Sequence, residues 1–166
     1  LNAKLTLFSK LLIKKKHIIS DKSLEQYGIL KKISKNRQLR LLDISTQIKK
    51  IKNIPLPLIG SFQIKNLSMA AVAARLCNLD DTKINNAFKK IKTVDGRLSQ
   101  IKKYSNNIKV FIDYAHTPDA LREVIESIKD TYNNKISLVF GCGGERDFKK
   151  RPLMAKIAKS LCQKIY

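Results

Sequence analysis

Asp113 and His116 lie in the string Asp113-Tyr114-Ala115-His116-Thr117-Pro118-Asp119-Ala120-Leu121. Arg146 lies in Phe140-Gly141-Cys142-Gly143-Gly144-Glu145-Arg146-Asp147, which runs on into Lys149-Lys150-Arg151-Pro152-Leu153-Met154. Each string follows an apolar, strand-like run and precedes a helix-like one. Open α/β sheets carry their binding groups at such places, outside the carboxyl ends of strands. A carboxylate at Asp113 can accept from ribose hydroxyls, or it can cap the turn or the helix that follows. His116 can meet a phosphate or simply begin the helix, and is not read as a catalytic base. In the second string three glycines let the main chain approach a ligand and take up positive φ. Arg146 can form a bidentate pair with a carboxylate. The basic run and the amino end of the next helix both favour an anion. The plainer alternative is a glycine turn with a solvated basic rim.

Two other segments hold candidate polar groups. In Thr93-Val94-Asp95-Gly96-Arg97, Arg97 can reach phosphates when two domains close, or can be an exposed linker arginine. Asn66 lies in Gly60-Ser61-Phe62-Gln63-Ile64-Lys65-Asn66-Leu67-Ser68-Met69-Ala70-Ala71, whose plain reading is a polar helix start. No G-x-x-x-x-G-K-[ST] occurs in the 166 residues, and Gly141-Cys142-Gly143-Gly144 is not one, so no phosphate cradle of that kind is present. Cys77, Cys142 and Cys162 are odd in number and lack C-x-x-C spacing. They argue against a disulfide framework or zinc site and fit a reducing cytoplasm.

The elements that must position these groups follow from periodicity. Residues 1–12 read as the end of a helix, with Leu5, Phe8, Leu11 and Leu12 at helical spacing. Residues 17–20 read as a strand. A helix capped by Asp21 or Ser23 carries Leu24, Tyr27, Leu30 and Ile33, and residues 39–44 form a second strand. Residues 45–58 are basic and contain Pro55 and Pro57, which predicts loop or edge strand. Helices are expected over 67–76 and 82–91, the latter capped by Asp80-Asp81-Thr82. Then come a buried strand at 110–112, a helix over 118–132 with Pro118 in its first turn, a strand over 136–140 and a final helix opened by Pro152. Alternation of β and α predicts an α/β fold with a parallel sheet, and the connector at 93–97 is the expected boundary between two domains.

The chain carries 34 Lys and Arg against 13 Asp and Glu, a formal net charge of +21. The lysines are spread along the chain with few aromatics among them as stacking platforms. No specific nucleic-acid partner is expected, only salt-sensitive association with polyanions. A basic nucleic-acid-binding α/β module stays open as the rival from another class. No apolar run reaches the roughly 18 residues of a membrane span.

In their order and spacing these strings resemble the Mur ligase family. The resemblance covers nearly the whole chain and is most specific in the G-C-G-G-E-R-D-x-K-K-R-P string. It implies that residues 1–92 are the C-terminal part of a central ATPase domain and residues 93–166 the first part of a Rossmann-like C-terminal domain. It implies an ATP-dependent amide-bond ligase of the cytoplasm, monomeric at full length, using ATP and Mg2+. That ligase would add meso-diaminopimelate or L-lysine to UDP-MurNAc-L-Ala-D-Glu through an acyl phosphate, in peptidoglycan synthesis. Folylpolyglutamate and cyanophycin synthetases share the general layout and remain alternatives.

Residue by residue, the resemblance places Asn66 at the adenine, Asp113 and His116 at the nucleotide, Arg97 at the phosphates and Arg146 at a carboxylate of the incoming amino acid. Gln63 stands where the family has Asn. Ala3-Lys4-Leu5-Thr6-Leu7-Phe8 resembles the family's A-K-x-x-L-F segment, whose lysine becomes a carbamate that helps hold Mg2+; a hard cation needs such oxygen donors. On the residues alone Lys4 would be one surface lysine among many. The P-loop and UDP-sugar domain are expected before residue 1 and the diamino-acid motif after residue 166. The isolated chain is therefore expected to lack ligase activity.

Overall fold

The computed structural model describes residues 17–54, 56–143 and 147–166. They form two compact units. One holds the described residues through Leu56 together with Ile64–Lys90; the other holds Pro57–Gln63 and Ile91–Tyr166.

In the first unit β1 (His17–Ser20) and β2 (Arg40–Asp43) pair in parallel, Ile18 opposite Leu41. Helix α1 (Tyr27–Asn36) connects them. Asp21 does not cap this helix. Its Oδ1 accepts from the Ser23 N–H at 2.9 Å and its Oδ2 pairs with Lys65 Nζ at 3.1 Å. Asp43, at the same end of β2, accepts from the Lys22 N–H and the Ser45 hydroxyl, each at 3.0 Å. Both strand-end carboxylates are thus engaged in local structure.

Residues 45–58, expected as loop or edge strand, instead begin with helix α2 (Ser45–Lys52). Ile44, Gln47 and Ile51 recur at helical spacing and are buried, while Lys49, Lys50 and Lys52 face outward. Pro57 lies beyond the last turn, where it does not interrupt the helix. Helix α3 (Ser61–Leu76) begins six residues before the expected 67. In its last turn Arg75 reaches Gln47 Oε1 at 2.7 Å and Asp81 Oδ1 at 2.6 Å. Helix α4 (Asp81–Phe88) is capped by Asp80, whose side chain accepts the Lys83 N–H at 2.7 Å.

The second unit opens with a hairpin. Strand β3 (Ser99–Lys103) pairs antiparallel with β4 (Lys109–Ile112), which corrects the all-parallel expectation. A turn too short for a crossover joins them. Tyr104 N–H donates to the Ile108 carbonyl at 2.8 Å, and Asn107 takes a left-handed φ of 65°. Strand β4 is also less buried than expected, with Ile112 49% exposed.

Helix α5 (Pro118–Tyr132) starts at the Thr117 cap, with Pro118 first, and ends at left-handed Asn133. Strand β5 (Ser137–Leu138) pairs in parallel with β6 (Lys164–Ile165), and flanking hydrogen bonds extend that contact to Ile136 and Phe140. Helix α6 (Lys150–Leu161) begins two residues before Pro152. Leu121 and Ile125 of α5 bury against Met154 and Ile157 of α6, with Ala115, Leu138, Phe140 and Cys142 packed around them. The fold is α/β, with parallel pairs in both units and one antiparallel hairpin. No described helix is long and apolar enough to cross a membrane.

Candidate functional site

Residues 94–99 form a tight turn stitched to the end of β4. Arg97 N–H donates to the Val94 carbonyl at 3.0 Å, Tyr114 N–H to the Gly96 carbonyl at 2.9 Å, and Gly96 N–H to Ser99 Oγ at 3.1 Å. Gly96 has φ 70°, which glycine takes at little cost. Leu98 has φ 49° although it carries a side chain, and that side chain is 1% exposed. Its N–H donates to Asp113 Oδ2 at 2.7 Å. From the start of α3, Gln63 Nε2 donates to the Arg97 carbonyl at 3.0 Å.

The side chains above this turn form a row. The Arg97 guanidinium lies 5.7 Å from the centre of the Tyr114 ring, and that ring lies 5.2 Å from His116, tilted by 58°. Tyr114 is 67% exposed, so a large aromatic surface faces solvent beside an arginine. His116 Nδ1 is 3.0 Å from the Tyr114 carbonyl, and Lys150 Nζ donates to the His116 carbonyl at 3.0 Å. The Lys150 contact fastens the first turn of α6 to the loop after β4. The arrangement presents a guanidinium, an aromatic face and an imidazole together, which suits an anionic ligand carrying a flat ring.

The structure therefore brings Arg97, Asp113 and His116 together. Asp113 takes the turn-holding role that the residues alone left open, through Oδ2. Asn66 is exposed on α3 and belongs to the first unit. Lys4 and Arg146 lie outside the described residues. Gly141 and Gly143 do not have the positive φ expected of them, and a Cβ on either would meet nothing within 4 Å. At this loop Arg151 donates to the Gly143 carbonyl at 3.3 Å and lies 4.5 Å from the Phe148 ring. Among the described residues no group of three or more His, Cys, Asp or Glu gathers that could hold a metal ion.

Sequence reasoning gave no role to Gln63, Tyr114 or Lys150. Gln63 was marked only as a departure from a pattern. Tyr114 and Lys150 lie inside the two motif strings, where no local pattern sets them apart from their neighbours.

Comparison with known proteins bears on these strings. Residues 96–166 match the family described as Mur ligase, glutamate ligase domain. UDP-N-acetylmuramoyl-L-alanyl-D-glutamate–2,6-diaminopimelate ligase of Rickettsia bellii is 43% identical over 111 residues, covering 66% of this chain and 23% of the relative. Residues 96–166 belong to the Mur ligase family. The ligase of the same name from Agrobacterium fabrum is 34% identical over 136 residues, or 82% of this chain and 28% of the relative. A solved structure of a ligase of that name covers 99% of the chain and 38% of its own length, at 26% identity and TM-score 0.54. Folylpolyglutamate synthetase from Lactobacillus casei covers 100% of the chain and 47% of its own length, with TM-score 0.64 at 16% identity, a likeness of fold alone. The chain spans about a quarter of the length of the curated relatives it matches.

Proposed function

We propose that the chain forms part of an ATP-dependent ligase of peptidoglycan synthesis that adds meso-diaminopimelate or L-lysine to UDP-MurNAc-L-Ala-D-Glu. The observation that carries this reading is the Arg97–Tyr114–His116 row, standing within or beside the residues that match the ligase domain. In this reading residues 1–92 close a central ATPase domain and residues 93–166 open the domain that brings the amino acid. The enzyme works as a monomer in the cytoplasm.

The reaction makes an acyl phosphate on the D-Glu side-chain carboxyl. The amine of the incoming amino acid attacks that carbonyl, and phosphate leaves. Negative charge builds on the transferring phosphoryl group and on the tetrahedral intermediate, and fixed cations there lower the barrier. Arg97 supplies one such cation, held on the Tyr114 ring while still open to solvent. His116 and Asp113 border the nucleotide, Asn66 faces the adenine, and Arg146 clamps a carboxylate of the amino acid. Lys4, as its carbamate, is the residue assigned to Mg2+. That assignment rests on the Ala3-Lys4-Leu5-Thr6-Leu7-Phe8 string, since the described residues assemble no metal site of their own.

The test is calorimetric titration of the 166-residue chain with a non-hydrolysable ATP analogue. Measurable affinity is expected, weakened about tenfold or more in Arg97→Ala, as for loss of a charge-assisted contact. Absence of binding, or equal binding by Arg97→Ala, would overturn the reading of this row. The chain alone is expected to make no amide bond, having no P-loop.

A further inference from the structure

The Arg97 carbonyl and the Leu98 N–H belong to one peptide group, and two distant side chains hold it from opposite ends. Gln63 Nε2 donates to the carbonyl at 3.0 Å across 34 residues, and Asp113 Oδ2 accepts from the N–H at 2.7 Å across 15. This peptide needs holding. Leu98 sits at φ 49°, a left-handed conformation that side-chain-bearing residues adopt at a cost and keep only when their surroundings over-determine it. Rotation of the 97–98 peptide plane would return Leu98 to negative φ and would turn the Arg97 backbone with it. Asp113 restrains one end of that rotation and Gln63 the other.

Gln63 is itself firmly placed. Its N–H donates to the Gly60 carbonyl at 3.2 Å. Gly60, at φ 95°, lies so near α5 that a Cβ there would come within 2.6 Å of Ser127 Oγ. The donor therefore stands on a turn backed by the buried Ser127 of α5, in its own unit.

We propose that Gln63 is a positioning residue: by clamping the 97–98 peptide opposite Asp113, it fixes the pose in which the Arg97 guanidinium lies on the Tyr114 ring. The proposal concerns how Arg97 is presented, and its consequence for nucleotide binding rests on the functional reading above.

The experiment is NMR of the full chain. In the wild type the Arg97 side-chain protons carry an upfield ring-current shift, identified by its loss in Tyr114→Leu. Gln63→Glu is nearly the same size but at neutral pH offers the Arg97 carbonyl no donor. It is expected to abolish the shift and to speed amide exchange at Leu98 about three- to tenfold, as for one lost neutral hydrogen bond, with α6 amides unchanged. Gln63→Lys restores a donor and is expected to recover most of the shift. Should Gln63→Glu fail to fold, Gln63→Ala takes its place. An Arg97 shift that persists in the folded Gln63→Glu or Gln63→Ala chain overturns the proposal.

Binding of the ATP analogue is read in parallel. It is expected to fall about three- to tenfold in Gln63→Glu and no further in Gln63→Glu/Arg97→Ala than in Arg97→Ala alone. Additive losses would mean that Gln63 acts by another route, and would also overturn the proposal. If the wild-type chain binds no ATP analogue while the ring-current result holds, the functional reading fails and the clamp stands.

Discussion

Asp21 is 3% exposed at the end of β1. Burial alone would raise the pKa of its carboxyl. The hydrogen bonds from Ser23 and the Lys65 ammonium outweigh that and hold it below the ordinary carboxylate value. A depressed folded-state pKa adds stability above the unfolded value of about 4 and loses it as pH falls through the folded one. Asp21→Asn should cost about 1.5–3 kcal/mol near pH 7, the range for a hydrogen bond to a charged group. The gap between the two proteins should narrow as pH is lowered below about 4; urea melts across pH 2–7 would measure it, and a constant gap would refute the assignment. At this scale the sequence was legible where chemistry is carried by short strings: Arg97, Asp113 and His116 were named from motif order, and the structure gathers them. Gln63 and Lys150 act through contacts 34 residues away in the chain, and no local pattern encodes such a partner.

At the scale of elements, helices with complete end signals were the ones read correctly. Thr117-Pro118 at one end and Asn133 at the other bound α5 as expected. Helix α2 was hidden because its inward face includes Gln47, a polar residue whose burial depends on Arg75. The only sequence signal for the hairpin is Asn106-Asn107, which lacks the glycine of the strongest turn dipeptides. The start of α3 depends on Gly60, and two glycines give an internal comparison. Gly60→Ala meets a positive φ, Ser127 Oγ at 2.6 Å and the Phe62 ring at 2.8 Å. It should destabilise by about 2–4 kcal/mol. Gly28→Ala, near the start of α1 with nothing within 4 Å, should stabilise by about 0.5 kcal/mol. Thermal unfolding of both variants would check the pair, and a harmless Gly60→Ala would show that Ser127 and Phe62 move aside freely.

For the molecule as a whole, the α/β class followed from the alternation of strand-like and helix-like runs. Strand direction did not follow, because it depends on the connection between two strands rather than on the strands themselves. Net charge was the least informative global property. A value of +21 invites a nucleic-acid reading, yet the residues of the candidate site are a handful placed by turns. The clamped peptide at 97–98 also has a consequence for the order of assembly. It can form only after the chain has closed loops reaching back to Gln63 and forward to Asp113, and such long-range contacts bear their entropy cost before they bring any gain. The turn should therefore be unformed in the folding transition state. Gln63→Ala should accelerate unfolding while leaving the refolding limb of a chevron nearly unchanged, so the strained leucine would be among the last parts of the domain to settle and among the first to let go.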